Sequence, residues 1–270
     1  MDIYNAVLSL GLTFVVGLSM GLGSLLSFFV RGNNRRFLAL SLSFSAGIMI
    51  YVSFVAILPE GIELIEEYIG SEKGYSIGIM AFFGGMIFTA LLEKLVHQFG
   101  GEIHDHGHSH GHNHNGEHLS KLGIMSAVAI AIHNLPEGLA IFTAGLKDIS
   151  LAVPIAAAVI MHNIPLSIAI SVPIYYSTKS KKKAFLYTLA VGLCQPLGAI
   201  IGYMLLSSFF NDVLFGILFA IISGVMVFVS LDELLPTSQR YEDHHISVYG
   251  AVVGMMVMAV SLILFGHHHH

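Results

Sequence analysis

Two copies of one unusual motif hold the residues best able to do chemistry in this chain. His133-Asn134-Leu135-Pro136-Glu137-Gly138 recurs as His162-Asn163-Ile164-Pro165-Leu166-Ser167, each copy in the middle of a long apolar run. On a helix, His133 and Glu137 fall on one face, roughly 6 Å apart. His162 holds the equivalent place in the second copy, and antiparallel packing of the two runs brings His133, Glu137 and His162 together. Two imidazoles and one carboxylate form a borderline ligand set suited to divalent transition metals, Zn2+ first, with Fe2+, Mn2+ and Cd2+ also admissible. Asn134 and Asn163 can add carbonyl oxygens or orient the ligands from behind, and Gln195, beside Pro196, is a further oxygen donor. The plainer reading of an intramembrane histidine is a hydrogen bond to a neighbouring helix, and of Asn134 and Asn163 a structural role. Glu137 resists that reading, because it is the one carboxylate near the middle of any apolar run.

The elements that position these residues follow from composition. Of 270 residues, 55% are hydrophobic and 11% charged, with mean hydropathy +0.77. Soluble chains are about one-quarter charged. Apolar runs of about 20 residues mark helical membrane spans, and they fall near 3–30, 37–58, 75–95, 123–146, 149–176, 184–210, 213–235 and 246–265. The fold class is therefore all-α polytopic membrane protein, one transmembrane domain over residues 1–266, with the lipid bilayer as its solvent and no nucleic-acid partner. The first run is too long for a cleaved signal peptide and carries Asp2 where a basic segment belongs. Cys194 is the only cysteine, so no internal disulfide exists. Residues 267–270 read as a purification-tag remnant.

Charge between the runs sets orientation. With the N-terminus outside, the inward segments carry Arg31, Arg35, Arg36, Lys94, Lys121, Lys179, Lys181, Lys182, Lys183 and Arg240, and the outward ones only Lys73 and Lys147. Both termini are thus expected outside an inner (plasma) membrane. The acidic stretch Glu60, Glu63, Glu66, Glu67 and Glu72 reads as an outer solvated loop, and Asp232 and Glu233 as residues near the inner end of the seventh span. The connection 98–120 holds His104, His106, His108, His110, His112, His114 and His118 among Gly, Asn, Asp and Ser. It reads as a disordered cytoplasmic tether for weak, unselective metal capture.

A second duplication shapes the architecture. Gly47-Ile48-Met49-Ile50-Tyr51-Val52-Ser53 through Pro59 aligns without gaps with Gly224-Val225-Met226-Val227-Phe228-Val229-Ser230 through Pro236. Runs two and seven point in opposite directions, as do runs four and five. Inverted internal repeats around a midplane site are the signature of secondary transporters.

Eight spans, a histidine-rich loop after the third, and paired HNxP segments resemble the Zrt-/Irt-like (ZIP) metal transporters, bacterial zinc-uptake branch. The resemblance covers residues 1–266. It implies metal movement toward the cytoplasm, a centre at His133, Asn134, Glu137, His162 and Asn163, a homodimer, and alternating access or elevator-like movement between helix groups. The chain departs from that branch at three places: Ala56, Leu166 and Gln195 stand where carboxylates are usual. A single-metal uptake transporter, impaired or altered in selectivity, is one reading; a non-transporting membrane metal sensor or receptor is the alternative. A hydrolase is set aside, because Glu137 already serves as a ligand and no HExxH pattern supplies a general base.

Overall fold

The computed structural model describes residues 3–29, 34–100, 115–206 and 211–265. Among these, the chain forms eight long helices and no strand: α1 (Ile3–Ser27), α2 (Arg35–Ile69), α3 (Ser71–Gly100), α4 (Asn115–Lys147), α5 (Ile149–Thr178), α6 (Lys181–Leu206), α7 (Asp212–Tyr241) and α8 (His244–Phe265). Seven are long and apolar enough to cross a membrane. The eighth, α4, is 33 residues long and carries His133 and Glu137. Helix starts follow local chemistry: the side chains of Asn34, Asp148 and Asn211 accept from the backbone N–H groups of Phe37, Ser150 and Leu214.

Three expected boundaries move. Helix α2 continues to Ile69, so Glu60, Glu63, Glu66 and Glu67 are helical rather than loop residues, and Glu72 opens α3. The continuation has its own buried stripe, Leu58, Gly61, Leu64 and Ile65, with the acidic residues on the other sides. Helix α7 likewise continues to Tyr241, which places Asp232 and Glu233 inside the helix and not near its end. Helix α4 begins at Asn115, so residues 115–120 of the expected tether are helical, His118 among them. Arg31, the histidines at 104–114 and residues 267–270 lie outside the described residues.

The helices sort into two groups of four. Helices α1, α4, α5 and α6 pack on one another, as do α2, α3, α7 and α8; the groups meet chiefly where α2 lies on α5 and α7 on α4. The outer surface is apolar, with Leu22 and Leu25 of α1, Phe83 and Ile87 of α3, and Met256 and Val260 of α8 exposed, as a lipid solvent requires. The second duplication acquires structure here. Both α2 and α7 open into a single π-helical turn at matching positions, Ser53–Ile57 and Ser230–Leu234. Each turn precedes a proline, Pro59 or Pro236, whose ring excludes the regular hydrogen bond and widens the helix. The matching glycines do the same job in each copy. A Cβ on Gly47 would strike the Ala251 carbonyl of α8, and one on Gly224 would strike the Phe82 carbonyl of α3. The crossings α2–α8 and α7–α3 are thus two copies of one backbone-to-backbone contact.

Gly47→Ala and Gly224→Ala are expected to destabilise the protein by about 1–3 kcal/mol each through overpacking. Gly84→Ala, where nothing lies within 4 Å of an added Cβ, should leave thermal unfolding in detergent unchanged or slightly raised. Equal losses at all three positions would contradict the paired crossings.

Candidate metal centre

The turn at Asp148 reverses the chain between α4 and α5, and each helix carries its motif near its middle. Pro136 and Pro165 sit inside these helices without ending them. The antiparallel pairing brings His133, Glu137 and His162 together: one ligand atom from each lies within 4.8 Å of the others, and all three side chains are at most 3% exposed. His133 Nε2 is 3.0 Å and His162 Nε2 3.1 Å from the same carboxylate oxygen, Glu137 Oε1. Neither contact has the alignment of a hydrogen bond, and both nitrogens of each imidazole lack a hydrogen-bond partner among the described residues. Donor atoms gathered at close range but not aimed at one another are what a shared cation requires.

Behind this triad lies a layer of amides. Gln195 Nε2 donates to the other carboxylate oxygen, Glu137 Oε2, at 3.0 Å. Asn163 Nδ2 donates to Gln195 Oε1 at 3.3 Å, to the Val16 carbonyl at 3.3 Å and to Ser19 Oγ at 3.4 Å. Asn134 Nδ2 donates to the Val191 carbonyl at 2.8 Å and reaches Met20 Sδ at 3.3 Å. The side-chain oxygens of Asn134 and Asn163 are buried without a hydrogen-bond partner among the described residues. Gln195 can reach Glu137 because α6 presses onto α4 at Gly138, where a Cβ would strike the Gln195 carbonyl.

All six residues singled out by sequence are buried, and His133, Glu137, His162, Gln195 and Asn163 form one connected cluster, with Asn134 turned toward α6 and α1. The partners on α1 (Val16, Ser19 and Met20) carry no motif. A serine or methionine in an apolar helix is too common to signal a role. Ser45 of α2 is a further partner without a signal: its hydroxyl donates to the His162 carbonyl at 3.0 Å. It is also the one member of this hydrogen-bonded set outside the group α1, α4, α5 and α6. Of the other positions, Leu166 is buried one turn beyond His162, Ala56 is half-buried in the α2 π-turn, and Glu233 of α7 lies within electrostatic range of His133.

The chain matches the family model described as ZIP Zinc transporter over residues 4–122 and 101–262. It is similar to the Zinc transporter ZupT of Streptococcus mutans serotype c, 46% identical over 254 residues that cover 94% of this chain and 96% of that protein. It is similar also to the Zinc transporter ZupT of Clostridium perfringens, 44% identical over 276 residues, 97% of each chain. The protein of the same name from Lysinibacillus sphaericus is 46% identical over 264 residues, 96% of this chain and 98% of that one.

Asn134→Leu removes an amide of similar size and leaves the Val191 carbonyl without that donor. An expected loss of about 0.5–1.5 kcal/mol follows from losing one buried hydrogen bond between α4 and α6, since the Val191 carbonyl keeps its bond within α6, read as a lower thermal midpoint in detergent. An unchanged midpoint would mean that Asn134 does not fasten α4 to α6.

Proposed function

The chain belongs to the ZIP zinc transporter family, and from that premise we propose that it takes up zinc-type divalent metal into the cytoplasm through the buried centre of His133, Glu137 and His162. The convergence of these three donors between α4 and α5 carries the proposal. It is a membrane transporter and not an enzyme. A sensor that does not transport is not favoured, since relatives matching nearly the whole chain are named zinc transporters.

The chemistry suits passage better than storage. Two neutral imidazoles and one carboxylate leave a divalent ion with one uncompensated positive charge in a low-dielectric site. Such a site replaces enough of the ion's water to select it but holds it less firmly than a fully neutralised structural centre. The unpartnered oxygens of Asn134 and Asn163 retain lone pairs for the ion or its remaining water. Zn2+ fits this borderline donor set best; Fe2+, Mn2+ and Cd2+ are admissible cargoes.

For movement, the two helix groups matter. The three donors and nearly all their supports belong to α1, α4, α5 and α6, so that group can carry the centre as a unit against α2, α3, α7 and α8. Alternating access by such sliding is the proposed mechanism. The proposed setting is the inner (plasma) membrane, with both termini outside and the α5–α6 turn, rich in Lys179, Lys181, Lys182 and Lys183, inside. A homodimer is part of the proposal, and the exposed Phe83, Ile87 and Leu91 of α3 offer it an apolar face.

Glu137→Ala and His133→Ala should each abolish saturable zinc binding at the centre and zinc uptake into proteoliposomes, because two remaining donors cannot replace the ion's hydration shell. Uptake at the parental rate by both variants would remove the centre from the pathway. Orientation is checked separately. In a Cys194→Ser background, Ser71→Cys should react with an impermeant thiol reagent added to intact cells, and Ser180→Cys should not. The reverse pattern would invert the topology.

A further inference from the structure

Glu137 uses its two oxygens differently. Oε1 faces both histidine nitrogens, at 3.0 and 3.1 Å, whereas Oε2 receives the amide N–H of Gln195 at 3.0 Å. We propose that Gln195 is a specificity-determining positioning residue: it occupies Glu137 Oε2, so that the carboxylate offers a metal one oxygen only, which favours a four-coordinate ion such as Zn2+ over ions that take six oxygens. This inference rests on the metal-binding reading above and concerns how Glu137 is presented, not whether it binds.

The polarity of the amide chain is forced at both ends. The Val16 carbonyl can only accept, so the Asn163 atom facing it is nitrogen. The same nitrogen donates to Gln195 Oε1, which turns Gln195 Nε2 toward Glu137. An ionised carboxylate can only accept, so the far end demands the same orientation. Gln195 is 0% exposed, and the close packing of α6 on α4 at Gly138 sets its backbone directly against the helix that carries Glu137. Both polar ends of Gln195 are therefore engaged, and its oxygen points away from the triad toward Asn163. Gln195 acts on the metal through Glu137 rather than as a ligand.

The consequence lies in coordination number. Two imidazole nitrogens and one carboxylate oxygen, completed by one further oxygen, make a tetrahedral set, the arrangement zinc accepts. Mn2+ prefers octahedral oxygen-rich sites. A carboxylate free to bind through both oxygens adds a donor and shifts the site toward such ions. Partners that orient a ligand in this way typically alter metal affinity by roughly 10–100-fold when removed.

The test uses the full chain in detergent, titrated with Zn2+ and separately with Mn2+, for the parent, Gln195→Met and Gln195→Leu. Glu137→Ala serves as the reference: parent minus Glu137→Ala isolates binding at the centre from capture by histidines elsewhere. Infrared difference spectra, metal-loaded minus metal-free, report the separation of the two carboxylate stretching bands, which is wide for one-oxygen and narrow for two-oxygen coordination. The parent should give the wide separation. Gln195→Met, which keeps length but loses the donor, should give the narrow one and lower the Zn2+-to-Mn2+ affinity ratio by roughly 10–100-fold. Gln195→Leu, apolar and likewise without a donor, should move both readouts the same way and guards against a folding defect in the methionine variant. If both variants keep the parental band separation and affinity ratio, the inference is overturned while the metal-binding reading stands. If Glu137→Ala binds zinc as the parent does, both fall together.

Discussion

A carboxylate in the middle of an apolar helix bundle is the constraint on which the rest of this structure depends. Left alone there, Glu137 would cost several kcal/mol. The chain meets that cost from three helices. Helix α4 supplies His133 one turn away, α5 supplies His162, and α6 supplies the Gln195 amide. Each contact demands that its helix stand at a definite height and rotation. Gly138 lets α6 come close enough, and the Asp148 turn sets α5 antiparallel to α4. Asn134 and Asn163 then fasten the arrangement to α6 and α1. The group α1, α4, α5 and α6 is thus organised around one charge.

Much of this was legible in the sequence, because burying polar groups in lipid leaves a conspicuous pattern. Histidine and glutamate one turn apart within an apolar run have few readings, and the second copy of the motif located the partner helix. Gly47 and Gly224 aligned in the second repeat, and each marks an equivalent backbone crossing. Helix ends were less legible. A hydropathy window stops at Glu60, yet α2 runs to Ile69 because Leu58, Gly61, Leu64 and Ile65 keep a helical stripe facing the core. The signal there is periodicity and not mean hydropathy. Gln195 was legible as a site residue, but the orientation of its amide was not. Glutamine offers both a donor and an acceptor, and only the acceptor-only groups at either end of the chain, the Val16 carbonyl and the Glu137 carboxylate, decide which end faces the centre. The α1 supports were hidden for a related reason, since Val16 contributes through its backbone, which side-chain identity does not report.

The division into two groups gives the inverted repeats a physical use. The crossings α2–α8 and α7–α3 join glycine to opposing backbone within one group, so neither is interrupted by motion between groups. The polar supports of the centre lie within the other group. Between them the contact is chiefly α2 on α5 and α7 on α4. Apolar contacts of that kind can re-form after a slide, since dispersion is not directional, whereas a hydrogen bond needs its partner in one place. Two polar contacts cross the boundary: Ser45 bonds the backbone of His162, and Lys147 of α4 pairs with Asp212 of α7 at 4.0 Å. On the proposed mechanism, those contacts belong to one position of the carrier and must be given up in the other.

The three neutral residues Ala56, Leu166 and Gln195, where the family resemblance implies carboxylates, then acquire a common meaning. A carrier has to return empty as well as cross loaded, and an empty centre with several carboxylates close together in low dielectric repels itself unless protons or cations neutralise it. Here Leu166 is packed into the apolar core, Ala56 sits in the α2 π-turn, and Gln195 presents a neutral amide. One carboxylate remains among the three donors, and its Oε2 accepts from Gln195. Its Oε1 lies beside the two imidazole nitrogens, at 3.0 and 3.1 Å. Such a centre forgoes the stronger grip of a multi-carboxylate site, and a weaker grip suits a transporter that must release one ion before taking the next.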